Sequence, residues 1–204
     1  MIGGPRRIRR GAHEKLDFLL VSRTKAVPSS VGRVGAWIPD IRANRLKSVV
    51  VLGKVGFPQS GVGSKFGVLV VEDNPDDEAL TLRALRHCGL PLTVTIARNG
   101  AEAVEVLSGD LTALGLRDVP RLALIDLKLP KLSGLEVLAF VRSFPDTATM
   151  PVVCLTSSDE SVDTAQAYAL GANSFVRKPI DYDAYLEVVS KAAEYWLRVN
   201  YWPA

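Results

Sequence analysis

Cysteine is scarce in this sequence: Cys88 and Cys154 are the only two among 204 residues. Two thiols cannot build the disulfide framework of a small secreted domain. Both lie in apolar stretches, so we interpret them as reduced core residues of a cytoplasmic protein. Long apolar runs are also missing, because none approaches the ~18 residues that a membrane-spanning helix needs. The arginine pairs near the N-terminus precede no apolar segment of the length that a secretion signal requires. The sequence therefore predicts neither membrane insertion nor secretion.

Acidic residues are scarce in the first third of the chain. Residues 1–65 hold 13 Lys and Arg against 3 Asp and Glu, a balance of +10. Residues 66–204 hold 12 against 19, a balance of −7, so the net charge of +3 describes neither part. Nucleic-acid affinity depends largely on attraction between basic side chains and phosphate. The acidic part is therefore not expected to bind nucleic acid.

Residues 1–65 also lack sustained helical or strand periodicity. Their Gly, Ser, Pro and Arg content predicts a basic, disordered extension, with one candidate strand at 48–52 that could not bury a core by itself. A start codon placed too early would also explain this composition. A functional alternative is a basic tail that binds a nucleic acid, an acidic membrane or a partner. We place the domain boundary between residues 65 and 66.

From residue 66 onward the pattern becomes regular. Short apolar runs that suit strands alternate with amphipathic segments that suit helices, five times in succession; the runs are 67–71, 92–97, 121–125, 150–155 and 173–177. Continuous apolar strands are buried on both faces, which indicates a parallel sheet covered by helices. With right-handed crossovers this predicts an α/β fold, a doubly wound five-stranded parallel sheet of flavodoxin-like (βα)5 topology.

Polar side chains stand where these strands end. They are Glu72 and Asp73, Asp126, Thr156, and Lys178. Each has an ordinary explanation when considered separately, as a helix cap, a turn residue or a solvated lysine. In a parallel sheet, however, the carboxyl ends of the strands meet at one edge. Clustered carboxylates there would require a compensating cation such as Mg²⁺, and a lysine with a hydroxyl would bind a tetrahedral anion. This combination indicates phosphoryl transfer to an aspartate.

Four motifs in this order resemble those of response-regulator receiver domains, which have a chemotaxis-type fold. They are VVEDNPDD at 70–77, LIDLKLPKLSG at 124–134, VVCLTSS at 152–158 and GANSFVRKP at 171–179. The resemblance covers about residues 66–200. Three segments further resemble the single-domain receivers that are partnered with phytochrome-type histidine kinases. They are VEDNPDD, KPIDYDAYLEVV and YWLRVN.

The resemblance implies a role for each acid at the strand ends. Asp126 matches the phosphoacceptor, which takes a phosphoryl group from the phosphohistidine of a sensor histidine kinase. Asp73 matches a direct Mg²⁺ ligand, Glu72 an acid that acts through water, and the backbone carbonyl of Lys128 a further ligand. Together with Asp126 they form the implied metal site.

The resemblance also implies a switch. Thr156 matches the hydroxyl that moves toward the phosphoryl group, and Lys178 matches the cation that pairs with it. The bond from Lys178 to Pro179 matches one that is usually cis in the family. Phe175 stands where many members have tyrosine, so a switch through a phenolic hydroxyl is not available and only the ring could move.

The last helix carries an apolar stripe with heptad spacing. The stripe consists of Tyr185, Val188, Ala192, Tyr195 and Val199. A second apolar stripe beside it would suffice to pack the helix on the sheet. We therefore expect the first stripe to form a homodimer interface. Packing of this stripe within the chain is the alternative.

These observations predict a stand-alone regulator in which no output module follows Val199. We expect no enzymatic activity beyond self-catalysed phosphotransfer and autodephosphorylation. Two other functions are the alternatives to this prediction. An aspartyl-phosphate hydrolase would need a second acid two residues after the nucleophile, where this chain has Lys128. A regulator that binds nucleic acid through its basic tail is the other alternative.

Overall fold

The computed structural model describes residues 66–109, 119–157 and 161–201, together with the backbone of residues 50–55. The strands are β1 (Val50–Val55), β2 (Phe66–Val71), β3 (Leu92–Ala97), β4 (Leu122–Asp126), β5 (Val152–Thr156) and β6 (Ser174–Arg177). The helices are α1 (Pro75–His87), α2 (Gly100–Ser108), α3 (Gly134–Ser143), α4 (Ser161–Ala169) and α5 (Tyr182–Glu194), which continues as a π-helical turn at Tyr195–Val199. None of the helices in these ranges is long and apolar enough to cross a membrane.

The sheet has the strand order β1-β3-β2-β4-β5-β6. Strands β2 to β6 are parallel to one another, and β2 lies between β3 and β4. The predicted doubly wound sheet of five parallel strands with five helices is therefore confirmed. The order reverses beside β2, so the carboxyl ends of β2 and β4 open onto the crevice where such folds bind ligands.

Helices cover the sheet on both faces. On one face α1 and α5 bury residues such as Leu85 and Val189 against Val68. On the other face α2 and α3 bury residues such as Val106 and Leu138. Because the strand residues are buried on both faces, the strands have the continuous apolar sequences from which the parallel sheet was predicted.

A sixth strand extends the sheet at the β3 edge. β1 pairs antiparallel with β3, with Val50 opposite Ile96 and Leu52 opposite Val94. The expectation that every strand follows residue 65 is therefore wrong, although the candidate strand at 48–52 overlaps β1. The physical reason is that the edge of β3 presents unpaired N–H and C=O groups, which a segment too short to form its own core can pair. The rest of the predicted disordered extension lies outside the described residues.

Side-chain caps fix the points at which the helices begin. The Asn74 side chain accepts a hydrogen bond from the Asp76 N–H, and Pro75 occupies the first turn of α1. Ser133 and Glu136 form a capping box at the start of α3. These caps satisfy N–H groups that no helix can pair internally. They place both helix starts directly beside the ends of β2 and β4.

Candidate functional site

Four of the predicted residues meet at the carboxyl edge of the sheet. Glu72 follows β2, Asp126 ends β4, Thr156 ends β5 and Lys178 follows β6. Glu72, Asp126 and Thr156 are each more than nine-tenths buried. The side chain of Lys178 is 7% exposed. The sheet topology thus brings residues that are far apart in sequence to one pocket at this edge.

The Lys178 ammonium lies at the centre of this pocket. Its Nζ atom donates to Glu72 Oε2 at 2.7 Å, to Asp77 Oδ2 at 2.7 Å and to Asp126 Oδ2 at 2.6 Å. One cation therefore contacts three carboxylates, which leaves the cluster with an excess of negative charge. Hydrogen bonds between charged groups with so little exposure to water are stronger than those on a protein surface.

The pKa values reflect this balance of burial and charge. Burial raises the pKa of Glu72 to about 7, and the attraction of Lys178 reduces this effect without reversing it. Burial also disfavours the charge on Lys178, but hydrogen bonds to Asp126, Asp77 and Glu72 outweigh burial and raise the pKa of this lysine above its ordinary value. Lys178 is therefore a permanent cation at neutral pH.

The oxygen atoms of this pocket suit a hard divalent cation. Glu72, Asp77 and Asp126 each offer a carboxylate oxygen, and these oxygens all lie within 4.8 Å of one another. A compact set of carboxylate oxygens is the donor chemistry that Mg²⁺ and Mn²⁺ prefer. The residues present therefore fit the metal that the sequence predicted, although two of the predicted ligands are not among these three carboxylates.

Asp73 and Lys128 are those two residues. Asp73 is exposed and is not part of the carboxylate group described above. Lys128 has an exposed side chain, and its backbone N–H donates to Asp126 Oδ1 at 2.9 Å. Their assignment as metal ligands, Asp73 through its carboxylate and Lys128 through its carbonyl, stays a prediction.

The loop after Asp126 is fixed by close backbone packing. The Gly134 N–H donates to the Leu127 carbonyl at 3.0 Å, and a Cβ atom at Gly134 would lie 2.1 Å from the Asp126 carbonyl oxygen. A Cβ atom at Gly100 would lie 2.1 Å from the Leu132 carbonyl oxygen. Helices α2 and α3 therefore both approach this loop at positions that only glycine allows. This packing fixes the path of the backbone that follows Asp126.

The two predicted switch residues lie on neighbouring strands. Thr156 is fully buried, and its carbonyl accepts a hydrogen bond from the Lys178 N–H at 2.8 Å. Phe175 is partly buried on β6, opposite Cys154 of β5. The geometry therefore links Thr156 to the backbone that carries Lys178, while the switching role of Phe175 stays a prediction. The Lys178–Pro179 peptide bond is trans, which corrects the cis bond that the resemblance implied.

The residues of the predicted dimer stripe differ in their exposure to solvent. Val188, Tyr195 and Val199 are 36%, 50% and 57% exposed, and Ala192 is partly buried. Tyr185 is only 3% exposed, so its prediction as an interface residue is wrong. Helix α1 lies beside α5 and covers this position, and the Tyr185 hydroxyl forms a 2.7 Å hydrogen bond with that of Thr81 on α1.

Asp77 was missed as a site residue. The motif VEDNPDD contains it, but the predicted site consisted of residues at the strand ends, and Asp77 lies on the helix that follows. A usable signal is the helical phase: Asp77 is separated from Thr81 and Leu85 by multiples of four residues, and both of those are buried. Residues at this spacing share one helix face, so Asp77 lies on the inward side of α1.

The chain is similar to known proteins over most of the described residues. Residues 68–190 match the family described as response regulator receiver domain. The probable methanogenesis regulatory protein FilR2 of Methanothrix harundinacea is 36% identical over 135 residues, which are 66% of this chain and 86% of FilR2. The response regulator Rcp1 of Synechocystis sp. is 32% identical over 139 residues, which are 67% of this chain and 92% of Rcp1.

Solved structures of two relatives superpose on the described fold. The phosphorylated cyanobacterial phytochrome response regulator RcpA is 33% identical with a TM-score of 0.63, and the match covers 68% of this chain and 99% of RcpA. The Mn²⁺-bound form of Rcp1 is 31% identical with a TM-score of 0.62, with coverage of 68% and 99%. Both matches cover nearly the whole relative, and they leave about a third of this chain unmatched.

Proposed function

The chain belongs to the response regulator receiver domain family, and from that premise we propose that Asp126 accepts a phosphoryl group from the phosphohistidine of a sensor histidine kinase. The observation that carries this proposal is the contact between the buried Lys178 ammonium and Asp126 Oδ2 at 2.6 Å, with Glu72 on the same nitrogen. Lys178 can pair with the Asp126 carboxylate before phosphorylation and with the phosphoryl group afterwards. This arrangement suits an aspartate that alternates between a free and a phosphorylated state.

The transfer has a simple balance of bonds. A carboxylate oxygen of Asp126 attacks phosphorus, the phosphorus–nitrogen bond to the kinase imidazole breaks, and the bonding electrons leave with that imidazole. The product is an acyl phosphate on Asp126. Lys178 would then pair with a phosphoryl oxygen, and the Thr156 hydroxyl would donate to another.

Phosphoryl transfer to Asp126 is proposed to require a divalent metal ion. Mg²⁺ bound at the pocket would neutralise charge that develops on the phosphoryl oxygens. Glu72 and Asp126 would contribute to holding it, together with Asp73 and the Lys128 carbonyl as predicted from the sequence. A relative, Rcp1, has been crystallised in a Mn²⁺-bound form.

We propose no separate catalytic activity for this chain. Self-catalysed phosphotransfer and hydrolysis of the acyl phosphate require only Asp126, Thr156, Lys178 and the metal. An aspartyl-phosphate hydrolase is not favoured, because Lys128 occupies the position where such enzymes need a second acid. The partner kinase is of phytochrome type in this proposal, since RcpA is a phytochrome response regulator. Both proteins would meet in the cytoplasm.

The output of the receiver is proposed to be protein contact. Val188, Tyr195 and Val199 form an exposed apolar stripe on α5 and its π-helical turn. Two copies could cover this stripe about a two-fold axis, as an isologous contact requires. Thr156 and Phe175 would connect phosphorylation of Asp126 to this face of the molecule.

The proposal is tested by phosphotransfer with an Asp126→Asn variant. We expect radiolabelled kinase to transfer its phosphoryl group to the wild-type chain in the presence of Mg²⁺, and the variant to take no label because an amide cannot attack phosphorus. Asp76→Asn, an exposed neighbour of the site, serves as a charge-matched control that should be labelled normally. Undiminished labelling of the Asp126→Asn variant would show that another residue is the nucleophile.

A further inference from the structure

The third carboxylate on Lys178 comes from α1 and has no part in the phosphotransfer proposed above. Asp77 Oδ2 lies 2.7 Å from Lys178 Nζ, as close as the oxygen of Glu72. An ammonium has three N–H donors, and in this pocket each has a carboxylate acceptor. Asp77 therefore completes the coordination of the lysine that must approach the phosphoryl group.

The position of Asp77 is set by a helix that is fixed at several points. Asn74 caps the first turn of α1 at 2.9 Å from the Asp76 N–H, and Pro75 begins the helix. One turn after Asp77, Thr81 is hydrogen-bonded to Tyr185 of α5 inside the protein. The carboxylate of Asp77 is thus held independently of the loop that follows Asp126.

The three acceptors of Lys178 differ in what phosphorylation does to them. When Asp126 becomes an acyl phosphate, its carboxylate loses the negative charge that holds the ammonium, and a phosphoryl oxygen replaces it. Glu72 and Asp77 keep their places on β2 and α1. Only one of the three hydrogen bonds then has to be exchanged during the reaction.

We propose that Asp77 is a positioning residue: it holds the Lys178 ammonium on the α1 side of the pocket, so that one N–H can pass from Asp126 to the transferred phosphoryl group. This inference rests on the function proposed above. Without Asp77, one N–H loses its acceptor and the ammonium shifts toward Asp126 and Glu72. The nucleophile is then paired more tightly and the phosphoryl group is received by a less well-placed cation.

The first experiment measures labelling of the full chain by acetyl phosphate at saturating Mg²⁺. For Asp77→Ala we expect the maximal rate to fall about tenfold. The apparent KM should change by less than about threefold, because the loss is one of orientation in the transition state. Asp77→Glu should restore the rate to within about threefold of wild type. Asp76→Ala removes the same charge from the adjacent exposed position and should leave the rate unchanged.

A second experiment observes the lysine without phosphorylation. An ammonium with all three N–H groups bonded and little contact with water exchanges slowly, so its ¹H–¹⁵N signal should be visible at low temperature. We expect the Lys178 signal, assigned by its loss in Lys178→Arg, in wild type and Asp76→Ala, and its disappearance in Asp77→Ala.

The outcomes separate the two proposals. A maximal rate within about twofold of wild type in Asp77→Ala, an equal loss in Asp76→Ala, or no rescue by glutamate would overturn the role of Asp77. An unchanged Lys178 signal in Asp77→Ala would overturn it as well. If the wild-type chain takes no label, the phosphoacceptor function is wrong, and the NMR comparison still decides whether Asp77 holds the lysine.

Discussion

Cys154 shows how far burial alone can alter the chemistry of one residue. The side chain is fully buried on β5, and burial raises the pKa of its thiol to about 12. A thiol in an unfolded chain has a pKa of about 8.5, so ionisation favours the unfolded state. Well below about pH 8.5 the thiol is neutral in both states, so it does not alter the free energy of unfolding. As the pH rises from about 8.5 toward 12, the thiol ionises only in the unfolded chain, and the free energy of unfolding therefore falls.

We therefore predict that the two cysteines differ in reactivity at neutral to mildly alkaline pH. Cys88 is only partly buried, so an alkylating reagent at about pH 8 should modify it in the folded protein, whereas Cys154 should react only as fast as the protein unfolds. Mass spectrometry of a time course measures both sites. Cys88→Ser should abolish the early phase. Equal rates at both sites in the native protein would contradict the burial of Cys154.

A second prediction at the residue scale concerns Arg142 of α3. Its guanidinium donates to the Gly171 carbonyl at 2.9 Å, to the Met150 carbonyl at 2.8 Å and to Asn173 Oδ1 at 2.6 Å. Arg142→Met should lower the free energy of unfolding by about 3 kcal/mol, because two partly buried carbonyl oxygens and the Asn173 side chain lose a charged donor. Urea denaturation measures this change. Arg86→Met, in the exposed last turn of α1, should change stability by no more than about 0.5 kcal/mol. Similar losses in both variants would contradict the structural role of Arg142.

The sequence predicted some site residues and missed others for a physical reason. Asp126, Thr156 and Lys178 were found because each directly follows a predicted strand, and a parallel sheet places such positions at one edge. Asp77 reaches the same pocket from a helix, and its inward direction depends on the phase of α1. Tyr185 belonged to an apparent surface stripe, and its burial depends on the packing of α1 against α5. Residues placed by strand ends are thus easier to predict than those placed by helix packing.

At the scale of elements, the five parallel strands were predicted to within two residues at each end. Leu92–Ala97 was predicted with its observed bounds, whereas β5 begins at Val152 rather than at residue 150. Continuous apolar runs locate buried strands well because both faces require apolar side chains. β1 was not included in the sheet because an edge strand needs no such pattern. β1 pairs with β3 because the outer edge of β3 is open. The sequence of β1 alone does not indicate this pairing.

β1 leads to a prediction about the N-terminal region. A chain that starts at residue 66 lacks β1, so the outer edge of β3 loses its pairing partner, whereas a chain that starts at Ser48 retains it. We expect the shorter chain to be less stable by roughly 2 kcal/mol, which corresponds to a few backbone hydrogen bonds and to a melting temperature lower by several degrees. Thermal denaturation of the two chains measures the difference.

The longer chain is the matched control in this comparison. If both chains melt within about 1 °C of each other, β1 contributes no measurable stability. The shorter chain should also associate more readily at high concentration, because an open strand edge is a template for pairing with other chains. Light scattering of both chains checks that second expectation.

At the scale of the whole molecule, the exposed stripe on α5 leads us to expect a homodimer. Val188, Tyr195 and Val199 lie on one side of the helix, while Leu186 and Val189 are buried against the sheet. The π-helical turn is closed by a hydrogen bond from the Asn200 N–H to the Tyr195 carbonyl at 2.8 Å. The Trp196 indole donates to Ser174 on β6 at 3.1 Å and anchors this turn, so the stripe is presented on a fixed surface.

Two glutamates in place of Val188 and Tyr195 should therefore abolish a dimer without unfolding the chain. In a two-fold contact the double variant would place four carboxylates in one interface, and burial of unpaired charge is strongly unfavourable. Both positions are exposed in the single chain, so its stability should change little. We expect sedimentation velocity at tens of micromolar to show a dimer for wild type and a folded monomer for the variant, which should still be labelled at Asp126.

A matched control separates loss of the interface from a general effect of charge. Ile180 and Tyr182 are also exposed, 105% and 40%, but they lie at the opposite end of α5 from Tyr195. Their double substitution by glutamate adds the same charge outside the stripe and should leave the dimer intact. We expect phosphorylation either to strengthen such a dimer by the ~1–3 kcal/mol typical of coupling between sites or to leave it unchanged, so both variants are compared with Mg²⁺ and beryllofluoride. A wild-type chain that sediments as a monomer under those conditions would show that α5 is not a dimer interface, and the stripe would then have to be covered by another part of the same chain.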